Sequence, residues 1–180
     1  WKALERGEMT RDQVVVGRFA AFFGEQGIAV DAAAVAKTYE TLLSQGHYFL
    51  PGAEEAVKEK LFGKYKLYLA SNGTAVVQKG RMTSADLYPY FEESFVSQEL
   101  GHNKPSLEYF QAAFARIPGF DPKECLMVGD SLTSDILGGK RAGLRTVWVN
   151  PQHKTAPEDL KPDYEIENLA DLPALLEEIE

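Results

Sequence analysis

The chain has 180 residues, 44% of them hydrophobic and 26% charged, and carries a formal net charge of -8. That apolar fraction suffices for one globular core with room for a small second lobe and excludes a disordered chain, while the acidic balance argues against a nucleic-acid polymer or an anionic membrane as partner, since both demand a basic face. No apolar run approaches membrane-spanning length, and the single cysteine, Cys125, excludes an internal disulfide and points to a reducing, cytoplasmic compartment.

Trp1 to Gly7 read as the end of a helix closed by Gly7. Thr10 is the expected N-cap of a helix running to Gly24, with Val14, Val15, Phe19, Phe22 and Phe23 at helical spacing. Asp31 caps a second helix marked by Val35, Tyr39, Leu42 and Leu43 and ending near Gly46. Two antiparallel helices without strands predict a small helical cap over residues 1–47, with Tyr48 to Gly52 as an ordered connection. From Gly52 the period changes. Helices are expected over Ala53 to Phe62, Val76 to Met82, Pro105 to Ile117, Ile136 to Ala142 and Leu169 to Ile179. Strands are expected over Tyr65 to Ala70, Ser94 to Ser97, Cys125 to Val128, Arg145 to Val149 and, weakly, near Tyr164 and Ile166. This alternation predicts an α/β core over residues 48–180, a Rossmann-like parallel sheet with helices on both faces. The acidic end, Glu177 to Glu180, reads as a solvated helix face.

In such a sheet the residues that follow each strand meet in one crevice. Ser71, Asn72 and Gly73 offer a hydroxyl, an amide and backbone N–H groups ahead of a helix, which suits a phosphate oxygen; a plain capping turn is the alternative. Lys104, just before Pro105, can bring an ammonium to a phosphate or a carboxylate. In Leu126 to Asp135 an apolar strand breaks at Gly129 and places Asp130 and Asp135 five positions apart, hard oxygen ligands suited to Mg²⁺ with water and substrate phosphate; two turn aspartates are the alternative. His47, His102 and His153 are too scattered for a zinc site.

Ser71-Asn72 after one strand, Lys104-Pro105 before a helix, then Gly129-Asp130 with Asp135 five residues on, in this order, resemble the second to fourth motifs of the haloacid dehalogenase superfamily. The resemblance spans nearly the whole chain. It implies that Ser71, Asn72, Gly73 and Lys104 bind the transferred phosphoryl group, that Asp130 coordinates Mg²⁺, and that Asp135 helps hold the metal or its water. The Gly129-Asp130 metal motif sets the chain apart from the dehalogenases proper, whose substrates carry no phosphate. Gly7, Thr10, Arg18-Phe19, Asn72-Gly73-Thr74, Asp135 to Gly139 and Trp148-Val149-Asn150 look like the branch of pyrimidine 5'-nucleotidases. Arg18 could reach substrate from the cap or lie on the surface with its stem packed.

The family's first motif, Asp-x-Asp-x-Thr, occurs nowhere in these residues. It supplies the nucleophile on the central strand of the family's sheet. The expectation is therefore an N-terminally truncated chain, short of a βα unit of roughly 30 residues or more. The implied activity is Mg²⁺-dependent hydrolysis of small phosphomonoesters, with nucleoside 5'-monophosphates as the class the nucleotidase branch implies, through an aspartyl-phosphate whose nucleophile lies outside this chain. The 180 residues alone are expected to be inactive. A phosphomutase of the same family, and a catalytically inactive relative that binds a ligand or partner, remain as alternatives.

Overall fold

Thr10 ends the first turn of chain and begins the architecture: its side chain accepts from the Gln13 N–H while the Gln13 side chain accepts from the Thr10 N–H, a reciprocal cap. The computed structural model describes residues 2–179; Trp1 and Glu180, expected in the two terminal helices, lie outside the described residues. Helix α1 is Lys2–Glu5, α2 is Arg11–Glu25, and α3 is Ala32–Gln45, the last capped by Asp31 through the N–H groups of Ala33 and Ala34. Both caps fall where the sequence predicts them.

The apolar stripe of this helix pair is only partly covered. Val15 and Ala36 are buried, whereas Phe22 and Leu42 remain 56% and 63% exposed. Helix α4, Ala53–Glu55, runs straight on as a π-helix over Ala56–Leu61, so the helix expected over Ala53 to Phe62 is present with a widened second half. Strand β1, Tyr68–Ser71, leads into α5, Ala75–Ser84. It begins three residues later than the apolar run suggests, because pairing with β2, Glu93–Val96, starts only at Tyr68 opposite Glu93.

Helices α6, Ser97–Leu100, and α7, Leu107–Phe114, follow. Pro105 does not open α7. Ser106 does, accepting from the Tyr109 N–H, and Pro105 lies before it across a cis peptide bond from Lys104. Strand β3 is Leu126–Gly129; a π turn, Leu132–Ile136, then leads into α8, Leu137–Arg141. Strand β4, Arg145–Val149, strand β5, Tyr164–Ile166, and α9, Leu172–Ile179, complete the chain.

Every strand pairing is parallel, and helices cover both faces. Alternation along β3 shows how: Leu126 and Val128 pack with Val147, Ile166, Leu172 and Leu176 on one face, while Met127 packs with Phe95, Tyr109, Phe110 and Ala113 on the other. Among the described residues the strands hydrogen-bond as a pair, β1–β2, and a triple, β3–β4–β5. Strands β1 and β3 are thus both edges.

Helix α3 packs on α5 at one very close point. A Cβ on Gly80 would overlap the Ser44 carbonyl and come within 2.7 Å of the Ser44 Cβ. Nearby, His47 Nδ1 lies 3.1 Å from Ser84 Oγ, so the chain leaving α3 stays on the same helix. This contact places the N-terminal helices over the segment that follows β1.

Candidate active site

Strand β1 ends at Ser71, whose hydroxyl accepts from the Gly73 N–H at 3.0 Å and from Gln78 Nε2 at 2.8 Å. The turn is thereby closed from inside by a glutamine one turn into α5, a residue with no local pattern to mark it. Asn72 is differently used. Its Oδ1 accepts from the Lys104 N–H at 2.8 Å, and its Nδ2 donates to the Lys104 carbonyl at 2.8 Å. This two-way amide pairing spends the Asn72 side chain on fixing Lys104 rather than on an anion.

Lys104 is 5% exposed, and its ammonium donates to the Ala70 carbonyl and to Asp135 Oδ1, both at 2.7 Å. Asp135, 6% exposed, also accepts from the Ser131 N–H through Oδ2 at 3.1 Å and from Ser134 Oγ at 3.3 Å. A charge this deep is retained only when paired and hydrogen-bonded, and here both partners are. Gly129 makes the approach possible: a Cβ there would stand 2.5 Å from the Asp135 Cβ. Lys104 therefore ties the end of β1 to the turn after β3, across the space between the two edge strands.

Asp130 is exposed, and its carbonyl accepts from the Trp148 indole at 3.0 Å, which pins the turn to β4. The structure thus brings Ser71, Asn72, Gly73, Lys104 and Asp135 into one bonded cluster, with Asp130 beside it on the β3 turn. Among the described residues no group of three or more His, Cys, Asp or Glu side chains is placed to hold a metal ion. Of the two carboxylates expected to ligate Mg²⁺, Asp135 is buried and engaged by Lys104, Ser131 and Ser134, whereas the exposed carboxylate of Asp130 is free to match the donor chemistry of Mg²⁺, which keeps several waters and takes one or two carboxylates plus phosphate.

Two arginines of α2 take different places. Arg18 is not in the cluster; its guanidinium carbon lies 4.7 Å from the ring centroids of both Phe19 and Tyr39, and its Nε donates to the Val15 carbonyl. Arg11, unremarked in the sequence, reaches the loop after β1. Its Nη1 donates to the carbonyls of Asn72 and Gly73 at 2.5 and 2.8 Å, and its Nη2 to Ser97 Oγ and Asn103 Oδ1 at 2.5 and 2.7 Å. Burial pulls this guanidinium below its ordinary pKa, opposed by the charges of Asp12 and Glu40. A lone arginine after an N-cap threonine carries no pattern that could have singled it out. Tyr109, under the same loops, is 1% exposed and donates to the Phe95 carbonyl at 2.6 Å.

The family model for haloacid dehalogenase-like hydrolases matches residues 7–143. The chain belongs to this family. YfnB of Bacillus subtilis, described as a HAD-hydrolase, is 41% identical over 172 residues, covering 96% of this chain and 73% of that protein. Its crystal structure bound to magnesium superposes with a TM-score of 0.92, covering 98% of this chain and 77% of that one. The pyrimidine 5'-nucleotidase PynA of Streptococcus pneumoniae is 36% identical over 172 residues, covering 96% of this chain and 73% of PynA. The pyrimidine 5'-nucleotidase YjjG of Escherichia coli is 31% identical over 176 residues, covering 98% of this chain and 77% of YjjG. The resemblance seen in the motifs, down to the nucleotidase-like branch, is therefore that of a member, and the chain is a hydrolase by family. Among the described residues no helix is long and apolar enough to cross a membrane.

Proposed function

We propose that the protein is a Mg²⁺-dependent phosphatase of small phosphomonoesters, with pyrimidine nucleoside 5'-monophosphates the first substrates to try. The observation that carries this is the buried Lys104–Asp135 pair at the end of β1, which sets an ammonium beside a hydroxyl-and-amide turn. Such a group neutralises charge on a transferring phosphoryl without itself reacting. The names of PynA and YjjG support the nucleotide class. The magnesium in the YfnB crystal supports the metal.

In this reading Asp130 would hold the Mg²⁺ directly and Asp135 would act through its bonds to Lys104 and Ser131, sharing water with the ion. When bound, the metal would supply charge neutralisation at the phosphoryl oxygens. Ser71 and the loop amides would orient the phosphate, and Lys104 would hold the attacking carboxylate ionised and in line. That carboxylate would come from outside these 180 residues, which contain no Asp-x-Asp-x-Thr. Its oxygen would form a bond to phosphorus as the ester P–O bond breaks; water would then release phosphate and restore the carboxylate. Residues 1–47 would act as the cap over this crevice, and the lone Cys125 suits a reducing, cytoplasmic setting.

A second reading is a relative that binds a phosphorylated ligand without turnover. Phosphorus NMR of the intact protein with Mg²⁺ and a panel of nucleotides and sugar phosphates separates the possibilities. Free phosphate supports the phosphatase, an isomeric phosphate ester indicates a mutase, and unchanged substrate with a shifted resonance indicates a binding protein.

A further inference from the structure

We infer that Arg11 is a positioning residue for phosphate recognition, fixing the Ser71–Thr74 loop and Lys104 in place from the start of α2; the inference rests on the phosphatase reading above. Three segments that end or precede core elements converge on its guanidinium: the loop after β1, the first residue of α6, and the residue before Lys104. They lie 61, 62, 86 and 92 positions away in sequence. None of these acceptors is charged; they are two carbonyls, a hydroxyl and a side-chain amide oxygen.

A guanidinium is suited to this and an ammonium is not. Its donors sit in a rigid planar fork, so each terminal nitrogen can serve two acceptors at fixed angles. The acceptors bracket Lys104. Asn103 is its neighbour in sequence, and Asn72, whose carbonyl Arg11 holds, pairs its side chain with both backbone polar groups of Lys104. Arg11 is also well anchored, being the first residue of a helix whose N-cap is closed in both directions. Helix α2 packs on α3 and α3 on α5, so the guanidinium links the N-terminal helices to the phosphate loop from a second side. Docking of those helices and the shape of the anion cradle are thereby coupled.

The test uses the intact protein with Arg11→Lys and Arg11→Gln. Steady-state hydrolysis, inhibition by inorganic phosphate, and amide exchange at Lys104 and Val147 are measured on each. Both variants should bind inorganic phosphate and turn over substrate (kcat/KM) about tenfold less well, the equivalent of one lost charge-assisted hydrogen bond. The Lys104 N–H, bonded to Asn72 Oδ1, should exchange about tenfold faster, while Val147 in β4 is unchanged. Phosphate inhibition within twofold of the parent, or acceleration spread equally to Val147, would overturn the assignment. If the parent hydrolyses no phosphomonoester, the phosphatase reading fails by itself. Phosphate binding to parent and variants, together with the exchange contrast, then still decides the role of Arg11.

Discussion

The ammonium of Lys104 stands 2.7 Å from Asp135 Oδ1, with the two residues 5% and 6% exposed, so strand β1 and the turn after β3 share one buried ion pair. Removing one partner strands the other charge in a low-dielectric site, which costs about 3–5 kcal/mol, whereas replacing both by apolar residues of similar size is far milder. Lys104→Met and Asp135→Leu should each be strongly destabilising in urea titrations, and the double variant should lose much less than the sum. Additive losses would show that the pair is not coupled.

Asn72 is expected to act through Lys104. Asn72→Ala removes both bonds to the Lys104 backbone. Each is worth about 1 kcal/mol, and the buried backbone groups left behind add to the cost. Its kcat should fall with the thermal midpoint only modestly lowered, and Asn72→Asp, which keeps an acceptor for the Lys104 N–H, should retain more activity than Asn72→Ala. Equal activity in the two variants would contradict a positioning role.

At Gly80 the ordinary rule for helices is inverted. Glycine to alanine inside a helix stabilises by about 0.5–1 kcal/mol where space allows. Here a Cβ would overlap the Ser44 carbonyl, so Gly80→Ala should instead destabilise by about 1–3 kcal/mol, the usual cost of overpacking. A thermal melt decides the sign, and a raised midpoint would mean that α3 and α5 separate without loss.

Tyr109 sets an alkaline limit. Burial pushes its phenol well above the ordinary value, opposed by the Ser71 backbone and reinforced by Asp135. Above pH 10 the unfolded chain gives up this proton while the folded protein keeps it, so stability present at lower pH is lost as pH rises, by up to about 1.4 kcal/mol per unit. Stability curves at pH 9 and 11 should therefore converge more closely in Tyr109→Phe than in the parent. An identical decline in both would assign the loss to other groups.

How much of this was legible in the sequence follows from how local each signal is. Thr10, Asp31 and the apolar strands write their role into a few neighbouring residues; the two caps are found where expected, and the strands are found, some with shifted ends, β1 by three residues at its start. Ser71, Lys104 and Asp135 were reachable because strand ends in a parallel sheet share one crevice. The use of Asn72 was not, because a side-chain amide reads the same whether it faces an anion or a backbone 32 residues away. Arg11 and Gln78 stayed hidden for the same reason: their partners are fixed by tertiary packing alone. At Pro105 two local rules compete, and Ser106, the better cap, opens α7 instead.

The most direct test of the central claim concerns Asp130, exposed on the turn after β3 and outside the buried pair. Asp130→Asn in the intact protein should leave stability within about 0.5 kcal/mol of the parent, as exposed substitutions usually do. Phosphate release from a pyrimidine nucleoside 5'-monophosphate should be Mg²⁺-dependent in the parent and absent in the variant. Undiminished release by Asp130→Asn, or by the parent after chelation of the metal, would contradict the account.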